Sequence, residues 1–281
     1  MDRQIILLSF ADSRYAESLK RLEENTEKFP FTKRIMLTEK DLPQEFLSTV
    51  RYRLHRRGFG YWKWKPFIVA RQMENMNEGD ILFYSDAGCY WNKKGIQRFN
   101  DYLALVEQSP SGILAFEHPF LEKDWTKGDL LNYFDVYDNP SYTMTLQFAS
   151  GLFALRKCND TIEMIAQWNE IYSHHYDLVT DKVSVKPNLL GFCENRHDQS
   201  VLSLLFKQRN HETVSWQEIE TLDNQFGDSM ERYPVQCRRL ITQEQLPWKT
   251  LRRKLTYPYR YIIVWWLKNV EHFQIVSRKA F

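Results

Sequence analysis

The sequence predicts an α/β protein: one domain, residues 1–245, on a mixed, mostly parallel central sheet, then a basic and aromatic C-terminal helical extension, residues 246–281. Three observations carry this. Ile5 to Phe10 is a short apolar run, followed by a charged amphipathic stretch from Tyr15 to Phe29 and a second run from Arg34 to Leu37. Strand, helix, strand in that order is the unit of a parallel sheet. Gly79-Asp80 opens another buried run, Ile81 to Tyr84, which stops abruptly at Asp86 and Gly88. Finally, 281 residues of which 43% are hydrophobic suit one large domain with a real core, not a disordered chain.

The remaining elements follow in order. Ala11-Asp12-Ser13 ends the first strand. Pro43 to Arg57 reads as helical with a basic end at Arg51, Arg53, Arg56 and Arg57, until Gly58-Phe59-Gly60 interrupts it. Lys65-Pro66 opens a helix through Met76, since proline fits a first turn. Helical character returns from Lys94 to Gln108, then a strand from Gly112 to Glu117 and a short helix from Asp124 to Phe134. Thr143 to Leu155 is apolar and broken by Ser150-Gly151, as a bent strand would be. Helices are predicted from Thr161 to Tyr176 and from Asp198 to Gln208. From Lys249 the character changes: basic residues and tyrosines flank Ile262 to Leu267. That composition suits a segment lying in a membrane interface, or a terminal helix packed on the domain.

Composition narrows the partners and the compartment. A net charge of +2 argues against a polyanion binder, so nucleic acid is not an expected partner. Cys89, Cys158, Cys193 and Cys237 are far apart in sequence, with no CxxC pair, so neither a zinc site nor a disulfide framework is indicated. This fits a reducing compartment. The first apolar run is too short for a signal peptide, and no run of about 18 apolar residues exists to span a bilayer. The expectation is a cytoplasmic chain, peripheral on the inner face of the membrane.

Several clusters carry chemistry. Asp86 lies just past a strand's carboxyl end, where open α/β sheets bind ligands. A carboxylate there can hold a hard cation, or simply cap the next turn. Gly88 lets the backbone pass close to a ligand. Arg57 to Pro66 places glycines, aromatic rings and cations together before that strand. Phosphates want cations and rings offer faces to a base or sugar, although such rings also pack in ordinary loops. Arg196, His197, Asp198 and Gln199 cluster where an apolar helix begins. They read as a site with His197 on a metal or phosphate, or as an Asp198 N-cap. Glu117, at the end of the Gly112 strand, is a candidate base.

These pieces come in a recognisable order: G-x-G-Y-W-x-W-K-P at Gly58 to Pro66, G-D-I-L-x-Y-x-D-A-G-C at Gly79 to Cys89, the Trp125 to Asp129 stretch, the small-residue strand Gln147 to Leu155, and R-H-D-Q-S at Arg196 to Ser200. Over roughly residues 4 to 210 the chain resembles bacterial glycosyltransferases of the GT-A type, those of surface-polysaccharide (O-antigen, capsule and lipopolysaccharide) gene clusters. The resemblance implies a Rossmann-type GT-A-like domain. It implies a nucleotide-sugar donor, with UDP-sugar the first expectation, Mn²⁺ or Mg²⁺ as cofactor, and a saccharide acceptor carried on a lipid. Ser9, Phe10 and Arg14 would lie near the nucleotide, with Arg57 and Lys65 facing the donor. The family's Asp-any-Asp metal motif is matched only at Asp86, its third position being Gly88, so His197 or Asp198 would complete the shell. Asp198-Gln199 is similar to the acid-Gln pair lining the reacting sugar in retaining enzymes. In inverting relatives an acid there is the general base. The rival class is a non-catalytic carbohydrate-binding or membrane-adaptor protein.

Overall fold

In the computed structural model, which describes residues 3–50, 57–220 and 232–237, the predicted apolar runs become the strands of one sheet. In chain order the elements are β1 (Ile5–Phe10), α1 (Ala16–Thr26), β2 (Lys33–Leu37), α2 (Gln44–Ser48), α3 (Gly58–Tyr61) and α4 (Trp64–Glu74). Then come β3 (Ile81–Ser85), β4 (Tyr90–Trp91), α5 (Ile96–Gln108), β5 (Ile113–Leu121), α6 (Glu122–Trp125), α7 (Gly128–Tyr133) and α8 (Pro140–Thr143). The rest are β6 (Leu146–Arg156), α9 (Asn159–His174), α10 (Asp198–Lys207), β7 (Glu212–Val214), α11 (Trp216–Ile219) and β8 (Val235–Gln236).

Six strands lie in the order β2-β1-β3-β6-β5-β7. β1 is parallel to β2 and β3, β5 is parallel to β7, and β6 alone runs against its neighbours β3 and β5. The sheet is therefore mixed and mostly parallel, with five strands sharing one direction. Alternation sorts each strand onto two faces. Ile6, Leu8, Leu82, Tyr84, Phe153 and Leu155 face a core shared with Ile68 and Val69 of α4, Trp168 of α9 and Leu205 of α10. Leu7, Ile81, Phe83, Leu152 and Ala154 face a second core with Leu22 of α1 and Phe99 of α5. Helices cover both faces, which is why the strands read as continuous apolar runs.

Several boundaries differ from expectation for local reasons. The helix expected over 43–57 is confined, within the described residues, to α2. The single helix expected over 124–134 is two, because Thr126 and Lys127 take extended backbone. Thr126 donates to Glu122, and Lys127 Nζ donates to the carbonyls of Asp177 and Lys182, bonds a continuous helix would forgo. The strand expected from Thr143 begins at Leu146, since Asn139 caps a helical turn at Pro140–Thr143. The bend expected at Ser150-Gly151 is real: Ala115 pairs with Phe153 while Glu117 pairs with Phe148, a bulge that leaves residues 149–152 opposite Phe116 alone. Among the described residues no helix is long and apolar enough to cross a membrane. The C-terminal extension expected over 246–281 lies outside the described residues.

Candidate functional site

β1 and β3 run side by side with Leu8 opposite Tyr84, so their carboxyl ends open at the same edge of the sheet. Asp86 follows directly, its N–H donating to Gly151 of the antiparallel β6 at 2.8 Å. A Cβ at Gly151 would come within 2.9 Å of Asp86 Oδ2. The space that glycine leaves at position 151 is occupied by the Asp86 carboxylate.

Three charged side chains meet here. Lys65, in the first turn of α4, is fully buried, and its Nζ is 2.6 Å from Asp198 Oδ2 and 3.3 Å from Asp86 Oδ1. It also donates to the Ser150 carbonyl at 3.1 Å. The ammonium is thus hydrogen-bonded to Asp198 and Ser150 and ion-paired with Asp86. The Tyr84 hydroxyl donates to Asp86 Oδ1 at 2.7 Å, and the Tyr84 ring lies 4.9 Å from the ammonium. Burial pulls the Lys65 pKa down, but Asp198 and Asp86 more than offset it, and the net direction is up. Tyr84 is pushed well above the usual phenol range, first by burial and then by Asp86. Lys65 is thus a fixed cation between one buried carboxylate, Asp198, and one that is 41% exposed, Asp86.

The segment before α4 is unusual backbone. Gly58, Phe59, Gly60, Tyr61 and Trp62 all have positive φ, at 56°, 53°, 87°, 51° and 59°. This is one left-handed turn, costing roughly 1–2 kcal/mol for each non-glycine residue. Side chains from elsewhere hold it. The hydroxyls of Tyr172 and Tyr176 donate to the Tyr61 and Gly60 carbonyls, and Trp64 Nε1 donates to Gly58. The turn stacks Trp62 on His197, with ring centroids 5.5 Å apart, while Tyr61 meets the same ring at 4.9 Å. His197 is itself strained, at φ 54° and ψ −113°. Strain of this kind concentrates at functional sites. His197 Nδ1 donates to the Val179 carbonyl at 2.6 Å, and Nε2 faces Asp181 at 3.7 Å.

A second buried polar group holds Gln199. Glu122, fully buried, accepts from Thr126, Gln147, Ser203 and Lys207. A carboxylate only accepts, so Gln147 turns its amide nitrogen to Glu122 and its oxygen to Gln199. Gln199 Nε2 donates to that oxygen at 2.8 Å. The Gln199 carbonyl oxygen is therefore the end left to face outward, from a half-buried residue beside Asp198.

The expected residues are placed as follows. Lys65, Asp86 and Asp198 are drawn together, with Gln199 next to them in α10. Phe10 stacks on Trp64 at 4.1 Å, which ties the end of β1 to the same corner. Ser9 is buried with no hydrogen-bond partner for its hydroxyl. Arg14 is exposed and paired with Asp12 at 2.5 Å. Arg57 reaches Asp181 at 3.3 Å and Glu194 at 3.4 Å. Gly88 is half-buried in the turn after Asp86. Glu117 lies in β5 opposite Phe148, beside the bulge. Asp198 is the first residue of α10 and His197 precedes it, so Asp198 is not the N-cap. The expected metal shell of Asp86 with His197 or Asp198 is not assembled. Asp198 holds Lys65, His197 is turned to Val179 and Asp181, and no group of three His, Cys, Asp or Glu side chains suited to a metal occurs among the described residues. Among the described residues, Asp86, His197 and Asp198 do not make a metal centre. Sequence reasoning gave no role of their own to Tyr84, Gln147, Glu122 and Lys207. The last had a signal: Gln199, Ser203 and Lys207 recur at i, i+4 and i+8, a polar stripe on an apolar helix.

No protein-family model matches the chain, and no curated protein matches it. Among solved structures it is similar to a glycosyltransferase involved in glycosylating the major capsid of PBCV-1, with 13% identity over 89% of this chain and 98% of that one, TM-score 0.45. It is also similar to the galactosyltransferase LgtC, solved with donor and acceptor sugar analogues, at 13% identity over 91% and 96%, TM-score 0.45. A third is WbbM, a bifunctional glycosyltransferase, at 12% identity over 84% of this chain and 45% of that one, TM-score 0.47. The likeness is distant and says nothing of this chain's chemistry.

Proposed function

We propose that this protein is a glycosyltransferase. It moves a sugar from a nucleoside-diphosphate sugar, with UDP-sugar the first candidate, to a saccharide acceptor in surface-polysaccharide synthesis. One observation carries the reading. The segments Gly58 to Pro66, Gly79 to Cys89, Gln147 to Leu155 and Arg196 to Ser200, spread over the chain, close on a single ammonium at the carboxyl edge of the sheet. A buried charge group next to strained backbone is a poor choice for mere stability and a good one for a site. The acceptor oxygen bonds to the anomeric carbon, the diphosphate leaves with its electron pair, and the hydroxyl proton passes to a base. Asp86 and the Gln199 carbonyl face the reacting sugar, while Asp198 is held by Lys65 at its flank. Glu117 is the proposed base, and the end of β1 at Ser9 and Phe10 lies under the nucleotide. The basic and aromatic composition of 246–281 favours an acceptor carried on a lipid.

The test is a panel of nucleotide-sugars and nucleoside diphosphates, read by thermal shift and by release of free nucleoside diphosphate. A ligand at a hundred times its dissociation constant stabilises by about 2.7 kcal/mol. At least one nucleotide is expected to shift the protein, and its sugar conjugate to be turned over. No shift with any member of the panel overturns the proposal.

A further inference from the structure

We propose that Lys65 is the resident cation of this site, and that the nucleoside diphosphate is bound there without a divalent metal ion. This rests on the glycosyl-transfer reading above. A hard divalent cation at a strand-end acid needs carboxylate oxygens that are not already committed to another cation. Here the two candidate carboxylates share one. The Lys65 ammonium lies 2.6 Å from Asp198 and 3.3 Å from Asp86, in the place where an ion bridging them would have to be. It cannot step aside without cost. The ammonium also donates to the Ser150 carbonyl, its stem is fully buried, and the Trp64 and Tyr84 rings flank it.

Asp86 Oδ1, the oxygen nearest the ammonium at 3.3 Å, also accepts from the Tyr84 hydroxyl. Among the described residues, the side chain expected to complete the shell is elsewhere: His197 is clamped between Tyr61 and Trp62, with Nδ1 on Val179. Charge points the same way. Two carboxylates with one ammonium sum to −1, so half of the negative charge that would draw a divalent ion is already neutralised. The ion would also be repelled by a fixed positive charge a few ångströms away in a low-dielectric corner. Position 88, where a second acid would stand in an Asp-any-Asp pair, is glycine. A ligand is missing at one point and a cation is supplied at another.

Two measurements test this. In the first, Mn²⁺ alone is titrated into the full-length protein and followed by the electron paramagnetic resonance of the free ion. The wild type is expected to take up no stoichiometric Mn²⁺. Lys65→Met leaves Asp86 and Asp198 without their cation, and it is expected to gain a Mn²⁺ site. In the second, the thermal shift given by nucleoside diphosphates is compared in EDTA and in Mn²⁺, and is expected to be the same. Stoichiometric Mn²⁺ binding by the wild type, or a nucleotide shift that vanishes in EDTA, overturns the proposal. So does a folded Lys65→Met that gains no Mn²⁺ site. If Lys65→Met does not fold, Lys65→Met combined with Asp198→Asn keeps one charge fewer in the corner, and the wild-type results still decide. Should no nucleotide shift the protein under any condition, the glycosyl-transfer reading fails, while the Mn²⁺ titrations still judge the placement of the cation.

Discussion

Asp86 brings its charge to the open side of the site because Gly151 leaves it the space. Two substitutions probe that charge from opposite directions. Asp86→Asn keeps the shape, and Lys65 retains Asp198 as its close partner. The Asp86 side chain is 41% exposed, so stability is expected to change by about 1 kcal/mol or less. Turnover is expected to fall at least ~100-fold, the scale seen when one electrostatic group is removed from a reacting centre. Gly151→Ala leaves Asp86 in the sequence but puts a methyl 2.9 Å from its Oδ2. The carboxylate must then turn away, and the same loss of turnover is expected in a protein that still melts cooperatively. Steady-state rates and thermal melts on both variants check this. If Gly151→Ala retains full turnover, the position of the Asp86 carboxylate does not matter and its proposed role is wrong.

At the scale of elements, α10 is the organising helix, because one end of it faces the site and the other anchors a buried ion pair. Lys207 is almost wholly buried, and burial lowers its pKa while Glu122 raises it, with a net direction down. Removing Glu122 alone therefore strands a buried ammonium. Glu122→Gln is expected to destabilise by about 3–5 kcal/mol, the usual cost of breaking a buried pair. The double variant Glu122→Gln with Lys207→Met is expected to recover much of that loss, which a double-mutant cycle in urea would show. An additive double variant would mean that the two charges do not depend on each other. Such pairings bear on what a sequence reveals. The stripe Gln199, Ser203, Lys207 is legible, because helical spacing puts i, i+4 and i+8 on one face. Its partner is not: Glu122 stands in Glu122-Lys123-Asp124, which reads as a solvated acidic turn, and nothing local marks it as buried. Likewise Gly58 and Gly60 announce an interruption, but Phe59, Tyr61 and Trp62 give no sign that they too will be left-handed. That conformation is imposed by the hydroxyls of Tyr172 and Tyr176, more than a hundred residues away.

At the scale of the whole molecule, β1, β3, β5 and β6 were legible because they are buried on both faces, and the acid-tipped β3 was legible because its apolar run stops so sharply. Their convergence was not, since Lys65 and Asp198 are 133 residues apart and meet only because β6 inserts antiparallel between β3 and β5. The same packing closes over His197, and this couples global stability to pH. Burial is the largest influence on the ring and lowers its pKa below the ordinary value of about 6.5; the bond to Val179 raises it and the nearby Arg57 lowers it. The folded state thus binds a proton less readily than the unfolded chain does. By linkage, stability contributed by neutral His197 is fully present above about pH 6.5 and falls as the pH drops below it towards the lower folded value. Most carboxylates titrate at lower pH, so the window between pH 7.5 and 5.5 reports chiefly on histidines. Urea unfolding across that window is expected to show the wild type weakening steadily with acid. His197→Asn cannot be protonated and tolerates positive φ better than most residues, so it is expected to show a shallower slope even if it is less stable at pH 7.5. Equal slopes for the two proteins would assign the acid sensitivity to another group and would mean that the folded protein does not hold His197 neutral.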